Sequence, residues 1–385
     1  MSIKQREYEN IIFFLSILNC TKILVYGNKT AEIAILIITA IFLFYLYLTH
    51  NIVRNPQIIL LLSFTVTSIA VTAFINGGWG AVFNYIILML SSMLFVSYGV
   101  RRKRLTAIFT VNGMLLLAFL LLMNVKKNYS SYLFWTFMGQ EINPNMVGMI
   151  ALMTLFFLLG SAGGIKSKVL RSIYVLIAGC VCGFYIYISE CRSILLCLLA
   201  FVSLYLFKKR TFSQSFLRKI ICLSQAGSLI FVLLYLYLYR HSFDIELSLF
   251  GKSFYSGRQI VWGSAFDLFL QHPIIGSGAS VRLKSVANTV TASAHNTVMS
   301  LLYIFGAVPT ASYFLFMGKR YDNSMPYTPY RLNQFAVIAT LLITFFESFY
   351  TESYLGFLFM LFFIPEFIPI ESTIDAKRSG ILNDT

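Results

Sequence analysis

The stretch GRQIVWGSAFDLFLQHPIIGSG, residues 257–278, decides how this chain is read. It is the middle of the interval 239–295, the one long interval that is not an oily segment, and apolar runs flank it on both sides. Within it Ile260, Val261, Ala265, Phe266, Phe269 and Leu270 fall near helical spacing. Pro273, Gly276 and Gly278 then supply turn residues that end the helix. A short helix and a turn set among membrane-length apolar runs predict an all-α polytopic membrane protein. Residues 239–295 form its one long extracytoplasmic loop, which contains short helices.

The composition outside this stretch agrees. Of the 385 residues, 58% are hydrophobic and only 12% charged, and the mean hydropathy is +0.76, too apolar for an ordinary water-soluble domain. The net charge of +15 is no argument for nucleic acid, because the basic residues are strung between apolar runs and leave no basic surface. Six cysteines lie in or beside apolar runs without metal-ligand or secreted-disulfide spacing, so they read as packing residues. No cofactor is expected. The start carries Lys4 and Arg6 but no small-residue cleavage site, so the run from Ile11 is read as a retained first span.

A span needs roughly 20 mainly apolar residues. Twelve runs qualify, at about 11–26, 31–49, 58–75, 81–100, 105–123, 146–163, 169–189, 193–207, 218–238, 296–317, 331–349 and 353–370. Placing both termini in the cytoplasm puts 20 of the 30 Lys and Arg residues inside, as the positive-inside rule prefers. Of the ten outside, Arg240, Lys252, Arg258, Arg282 and Lys284 sit in the long loop, where orientation gives no reason for them. The outer connection 124–145, with Tyr132, Phe134, Trp135 and Phe137, reads as an interfacial segment whose rings lie at headgroup level. Without internal repeats or linkers, residues 1–385 are taken as one membrane domain.

A few polar residues stand where chemistry is possible. Arg192 lies in a short connection between the seventh and eighth spans. It reads either as a snorkelling side chain paired with Glu190 or a headgroup, or as a guanidinium held at the outer surface to grip a phosphate. Arg258 opens the loop helix, where unsatisfied N–H groups and a guanidinium together suit an anion. Gly276 and Gly278 could admit backbone amides to a phosphate, while His272 reads as a capping or packing residue. His295 stands at the membrane surface just before the tenth span, suited to take a proton from a hydroxyl, and Asn296 either caps that helix or orients His295. No Walker loop, DxD pair or Ser/His/Asp order is present, which disfavours a metal-dependent centre, although Asp244, Glu246, Asp267 and Glu141 are outer carboxylates.

The ordered set NPN at 143–145, Arg192, R-x-x-x-W from Arg258 to Trp262, HPIIGSG at 272–278, and His295 with Asn296 before a span resembles the O-antigen polymerase and O-antigen ligase group of bacterial membrane proteins. The resemblance covers about residues 140–310; Cys191 and Ser193 depart from the Ser and Gly that often flank this arginine in relatives. It implies a GT-C-like membrane glycosyltransferase in the bacterial cytoplasmic membrane. The glycan of an undecaprenyl-diphosphate-linked oligosaccharide would move to another lipid-linked repeat unit without a metal, outside the cytoplasm. It implies Arg192 and Arg258 on the diphosphate, His295 as general base, and Arg240, Arg282, Lys284 and Asn296 as substrate contacts. Implied partners are the lipid-linked substrate, the bilayer, and the chain-length regulator and flippase of the same pathway. The alternatives are a ligase that uses a lipid A core as acceptor, and, from another class, a flippase or transporter.

Overall fold

In a computed structural model of the protein the described residues are 3–25, 28–50, 66–71, 74, 86–87, 90–91, 99–127, 133–137, 140–207, 212–241, 248–249, 252–253, 257–278, 281–285, 290–291, 294–319, 331–347, 353–364 and 366–367. The longer helices among them are α1 Ile3–Leu24, α2 Lys29–His50, α3 Arg102–Leu122, α4 Pro144–Ser161, α5 Lys168–Ile188 and α6 Arg192–Phe207. They continue as α7 Gln214–Arg240, α8 Arg258–Gln271, α9 Thr297–Phe305, α10 Ala307–Lys319, α11 Arg331–Ile343 and α12 Ser353–Met360. Five of them, α2, α3, α4, α5 and α7, are long and apolar enough to cross a membrane. The architecture is compatible with an all-α membrane protein. Of the expected spans at 58–75 and 81–100, residues 66–71, 74, 86–87, 90–91, 99 and 100 are described, and the rest of both runs lies outside the described residues.

The helices start where the sequence supplies caps. Asn143, Ser167, Ser213 and Asn296 each accept a hydrogen bond from a backbone N–H of the first turn of α4, α5, α7 and α9. Helix α4 is apolar all round and forms the centre: 94% of its membrane-length window is buried, against 17% for α5, which lies at the periphery. Small residues allow the close approach of α3 to α4. A Cβ on Gly113 would come within 2.9 Å of the Leu158 side chain, and one on Gly160 within 2.3 Å of the Phe109 ring. Buried amides tie α1 to both neighbours, Asn19 Nδ2 donating to Thr39 Oγ1 at 3.0 Å and Asn112 Nδ2 to Ser16 Oγ at 3.0 Å. Where water is absent such bonds have few competitors.

Three features differ from the sequence expectations. Strands β2 Asn124–Lys127, β3 Leu133–Phe137 and β4 Gln140–Ile142 form a small antiparallel sheet, numbered after the two-residue strand β1 Val100–Arg101. Trp135 and Phe137 are buried, with Phe137 against Phe119, instead of lining a headgroup belt. The side chains of Tyr132 and Phe134 lie outside the described residues. Second, the run expected as one span over 296–317 is two helices, α9 and α10, broken at Gly306, whose φ is 81°.

The third feature explains the second. The HPIIGSG turn packs backbone to backbone on the break: Ser277 N donates to Tyr303 O at 2.6 Å, Gly278 N to Ile304 O at 3.1 Å, and Ala307 N to Pro273 O at 2.8 Å. These bonds replace the helical ones lost at the break, as buried backbone groups require. A Cβ on Gly276 would stand 2.3 Å from Ile304 O, and one on Gly306 2.1 Å from Ile274 O, so only glycine fits either side. The amides of Ser277 and Gly278 are therefore spent inside the protein and do not form a phosphate cradle.

Candidate functional site

The NPN motif places the first component. The Asn143 side chain caps α4 by accepting from Asn145 N at 2.9 Å, and Pro144 occupies the first turn, where its missing N–H costs nothing. The Asn145 side chain then reaches across the fold and donates from Nδ2 to Glu347 Oε1 at 2.9 Å.

The R-x-x-x-W spacing places two more. Gly257, in the left-handed region at φ 84°, turns the chain into α8, and Arg258 and Trp262 stand four residues apart on one helix face. Arg258 Nη2 donates to Glu347 Oε1 at 2.8 Å, and the guanidinium lies 5.9 Å from the centre of the Phe346 ring. Trp262, packed against Phe231 and Tyr235, donates from Nε1 to Ala294 O at 2.6 Å. One turn of helix thus fixes both Arg258 and the residue before His295.

Glu347 is the hub, in the turn that follows α11. Its side chain is 5% exposed, and besides Arg258 and Asn145 it meets His295, with Nδ1 3.3 Å from Oε2. A carboxylate only accepts, so the imidazole donates from Nδ1, and its lone pair is then on Nε2. The His295 side chain is 31% exposed, against 5% for Glu347. Thr297 N donates to Thr344 O at 3.0 Å, Thr297 Oγ1 to Glu347 O at 2.8 Å, and Asn296 Nδ2 to Phe345 O at 2.8 Å. This lacing locks the start of α9 to the end of α11.

Arg192 approaches from a fourth direction. The connection before α6 rests on the second turn of α4, where a Cβ on Gly148 would come within 2.8 Å of Ser189 Oγ and 3.1 Å of Cys191 Cβ. Burial, and then the repulsion of the nearby Arg258 charge, push the Arg192 guanidinium below its usual pKa, so two like charges share this region. Burial and next the Glu347 carboxylate push the Cys191 thiol up to about 11, which keeps it protonated and unsuited to nucleophilic attack. The described non-glycine residues at positive φ are Glu190 at 51° and His295 at 48°. Each costs roughly 1–3 kcal/mol, and both flank this cluster, where strain of this kind tends to gather.

Of the residues expected from sequence, Arg258 and His295 meet on one carboxylate, with Arg192 close by. Asn296 is wholly buried: its two N–H groups go to Ser228 Oγ and Phe345 O, and its oxygen accepts from Met299 N. It positions His295 by capping α9, and its amide is not turned outward. Arg240 closes α7, and Arg282 and Lys284 are exposed beside α8, where Lys284 N donates to Ser264 Oγ. Among the described residues no hydrogen bond joins these three to Glu347. The side chains of Lys252, Asp244 and Glu246 lie outside the described residues.

The sequence does not single out Glu347, a charge near the end of the expected span 331–349. The signal available was a single carboxylate closing an apolar run. No protein-family model matches the chain, and no curated protein is similar to it.

Proposed function

We propose that the chain is a metal-independent glycosyltransferase of the bacterial cytoplasmic membrane, a polysaccharide polymerase. In this reading it spans the membrane about twelve times with the Glu347 cluster on the outer side. It moves a glycan from undecaprenyl diphosphate to a hydroxyl of another lipid-linked repeat unit. The observation that carries the proposal is the convergence of Arg258, His295 and Asn145 on the buried Glu347 carboxylate. It pairs a proton acceptor with a cation on one rigid support.

In the proposed step the acceptor hydroxyl gives its proton to His295 Nε2 as its oxygen attacks the anomeric carbon. The bond from that carbon to the diphosphate oxygen breaks, and the lipid diphosphate leaves with the electron pair. The new glycosidic bond replaces the old one, and one proton is transferred, so the step balances. Arg258 spends one of its five N–H donors on Glu347, and its other donors, with Arg192, are disposed to hold the leaving diphosphate. Arg192 and Arg258 bring two guanidiniums to the same region, which suits a dianionic leaving group.

The break between α9 and α10 would favour a transporter if its free backbone groups lined a substrate path. Those groups are bonded to the HPIIGSG turn instead, so this feature adds nothing to that alternative. The test is to incubate the purified protein with a lipid-diphosphate-linked repeat unit. A ladder of products is expected; transfer only to a lipid A core, or movement across vesicles without chain growth, would replace this proposal by one of its alternatives.

A further inference from the structure

The far end of the same helices holds a second feature. A cavity of about 630 Å³ is lined by Arg102 at the start of α3, Leu159 near the end of α4, Arg171 and Ser172 in the first turns of α5, Tyr205 near the end of α6, and Phe335 in α11. It lies 14 residues along α4 from Asn145, roughly 20 Å at the helical rise, so it opens at the opposite end of the bundle from the Glu347 cluster. Its volume is within the range of about 300–1,000 Å³ typical of ligand pockets.

The lining has a specific chemical character. Two guanidiniums, a hydroxymethyl group and a phenol face a space whose other walls are apolar, and among the described residues no carboxylate lines it. Among the described residues no hydrogen bond holds the Arg171 guanidinium, so its fork is available to a ligand. The apolar wall does not end at the rim. Leu176 lines the cavity, is itself 66% exposed, and continues into Ile173 and Ile177 on the outward face of α5.

A soluble anion would need the arginines but not that wall, whereas a lipid uses both. We infer that this cavity holds the phosphate headgroup of an anionic membrane phospholipid between Arg102 and Arg171, with an acyl chain lying along the exposed face of α5. The arginines stand at the ends of membrane-spanning helices, the depth of a headgroup, and basic pockets between such helices suit anionic lipid. The occupant would tie α3, α5, α6 and α11 together at this end of the bundle. The inference is independent of the glycosyl-transfer proposal.

The test uses the full chain purified in detergent and read by native mass spectrometry with added phosphatidylglycerol, phosphatidylcholine or inorganic phosphate. Phosphatidylglycerol should bind, phosphatidylcholine bind at least about tenfold more weakly, and millimolar phosphate fail to displace the lipid. Arg171→Gln should lower phosphatidylglycerol occupancy about tenfold, as expected for one charge-assisted contact. Lys29→Gln, an exposed charge on another helix, should leave occupancy unchanged. Val175→Trp, which fills the cavity and keeps both charges, should expel the lipid and guards against Arg171→Gln simply failing to fold. Equal binding of the two lipids, undiminished occupancy in both variants, or displacement by phosphate would each overturn the inference.

Discussion

Glu347→Gln is the most informative single change, because it keeps the shape of the hub and removes only its charge. The glutamine has one accepting oxygen and one donating nitrogen where the carboxylate had two acceptors. Arg258 Nη2 at 2.8 Å and Asn145 Nδ2 at 2.9 Å both donate to Oε1, so the amide oxygen must face them; the reverse orientation would oppose donors to donors. The amide nitrogen then faces His295 Nδ1, 3.3 Å away, and the imidazole must become the acceptor there. Its proton moves to Nε2, and the outward nitrogen loses its lone pair. Under the proposed function, chain extension should fall about 100- to 10,000-fold, the range of general-base catalysis. Stability should fall by only about 1–2 kcal/mol, since both hydrogen bonds survive without the carboxylate charge. Glu347→Ala should cost about 3–5 kcal/mol, because it strands a partly buried guanidinium. The assay pairs polymerisation rate with the ¹⁵N shifts of labelled imidazoles, tractable with four histidines in the chain. Full activity, or an unchanged His295 tautomer in Glu347→Gln, would refute the reasoning.

Other changes test the supports. In the proposed reaction Arg258→Lys should abolish most activity, since an ammonium cannot bond Glu347 and a diphosphate with the same fork; wild-type rates would take Arg258 out of the proposed diphosphate contact. Gly148→Ala should displace the connection that carries Arg192 and cost roughly 1–3 kcal/mol of stability along with activity, whereas Gly183→Ala, with nothing within 4 Å, should be neutral or slightly stabilising; thermal unfolding in detergent separates them. Gly306→Ala combines φ 81° with a clash on Ile274 O and should cost roughly 2–5 kcal/mol, seen as loss of folded protein; normal yield would count against the interlocked break. Glu9, before the first expected span, is pulled upward by burial but brought below its usual pKa overall by hydrogen bonds from Arg101. Its stabilisation is therefore full above the ordinary carboxylate pKa and lost as pH falls through the lowered value. Stability scans should lose it below about pH 4 in the wild type and show no such loss in Glu9→Gln; parallel curves would dismiss the pair.

Hydropathy made the helices legible because their apolar runs are long and their caps are ordinary: α5, α6 and α7 begin and end within a few residues of the expected spans. It could not reveal the break at Gly306, since an average over a window is blind to one glycine and to a turn 30 residues earlier that bonds to it. The Leu133–Phe137 strand carried a β signal in its aromatic run, but the same rings also describe a headgroup belt, and only its partners decide. Arg258 and His295 were visible as polar residues without an orientation role. Glu347 was not, because a carboxylate at the end of an apolar run looks like a span boundary, and its meaning lies in partners 52, 89 and 202 residues away.

That spacing has a consequence for how the protein is made. Asn145, Arg258 and His295 all leave the ribosome before Glu347 does, and each is inserted while the group that will hold it has yet to be synthesised. A nascent chain halted before residue 347 would carry a guanidinium, an amide and an imidazole at the end of its helices with no carboxylate to bind them. The turn after α11 therefore supplies the last-made partner of the cluster, and these hydrogen bonds close only once it is present. Chains cut short of it should be more readily proteolysed than the full chain.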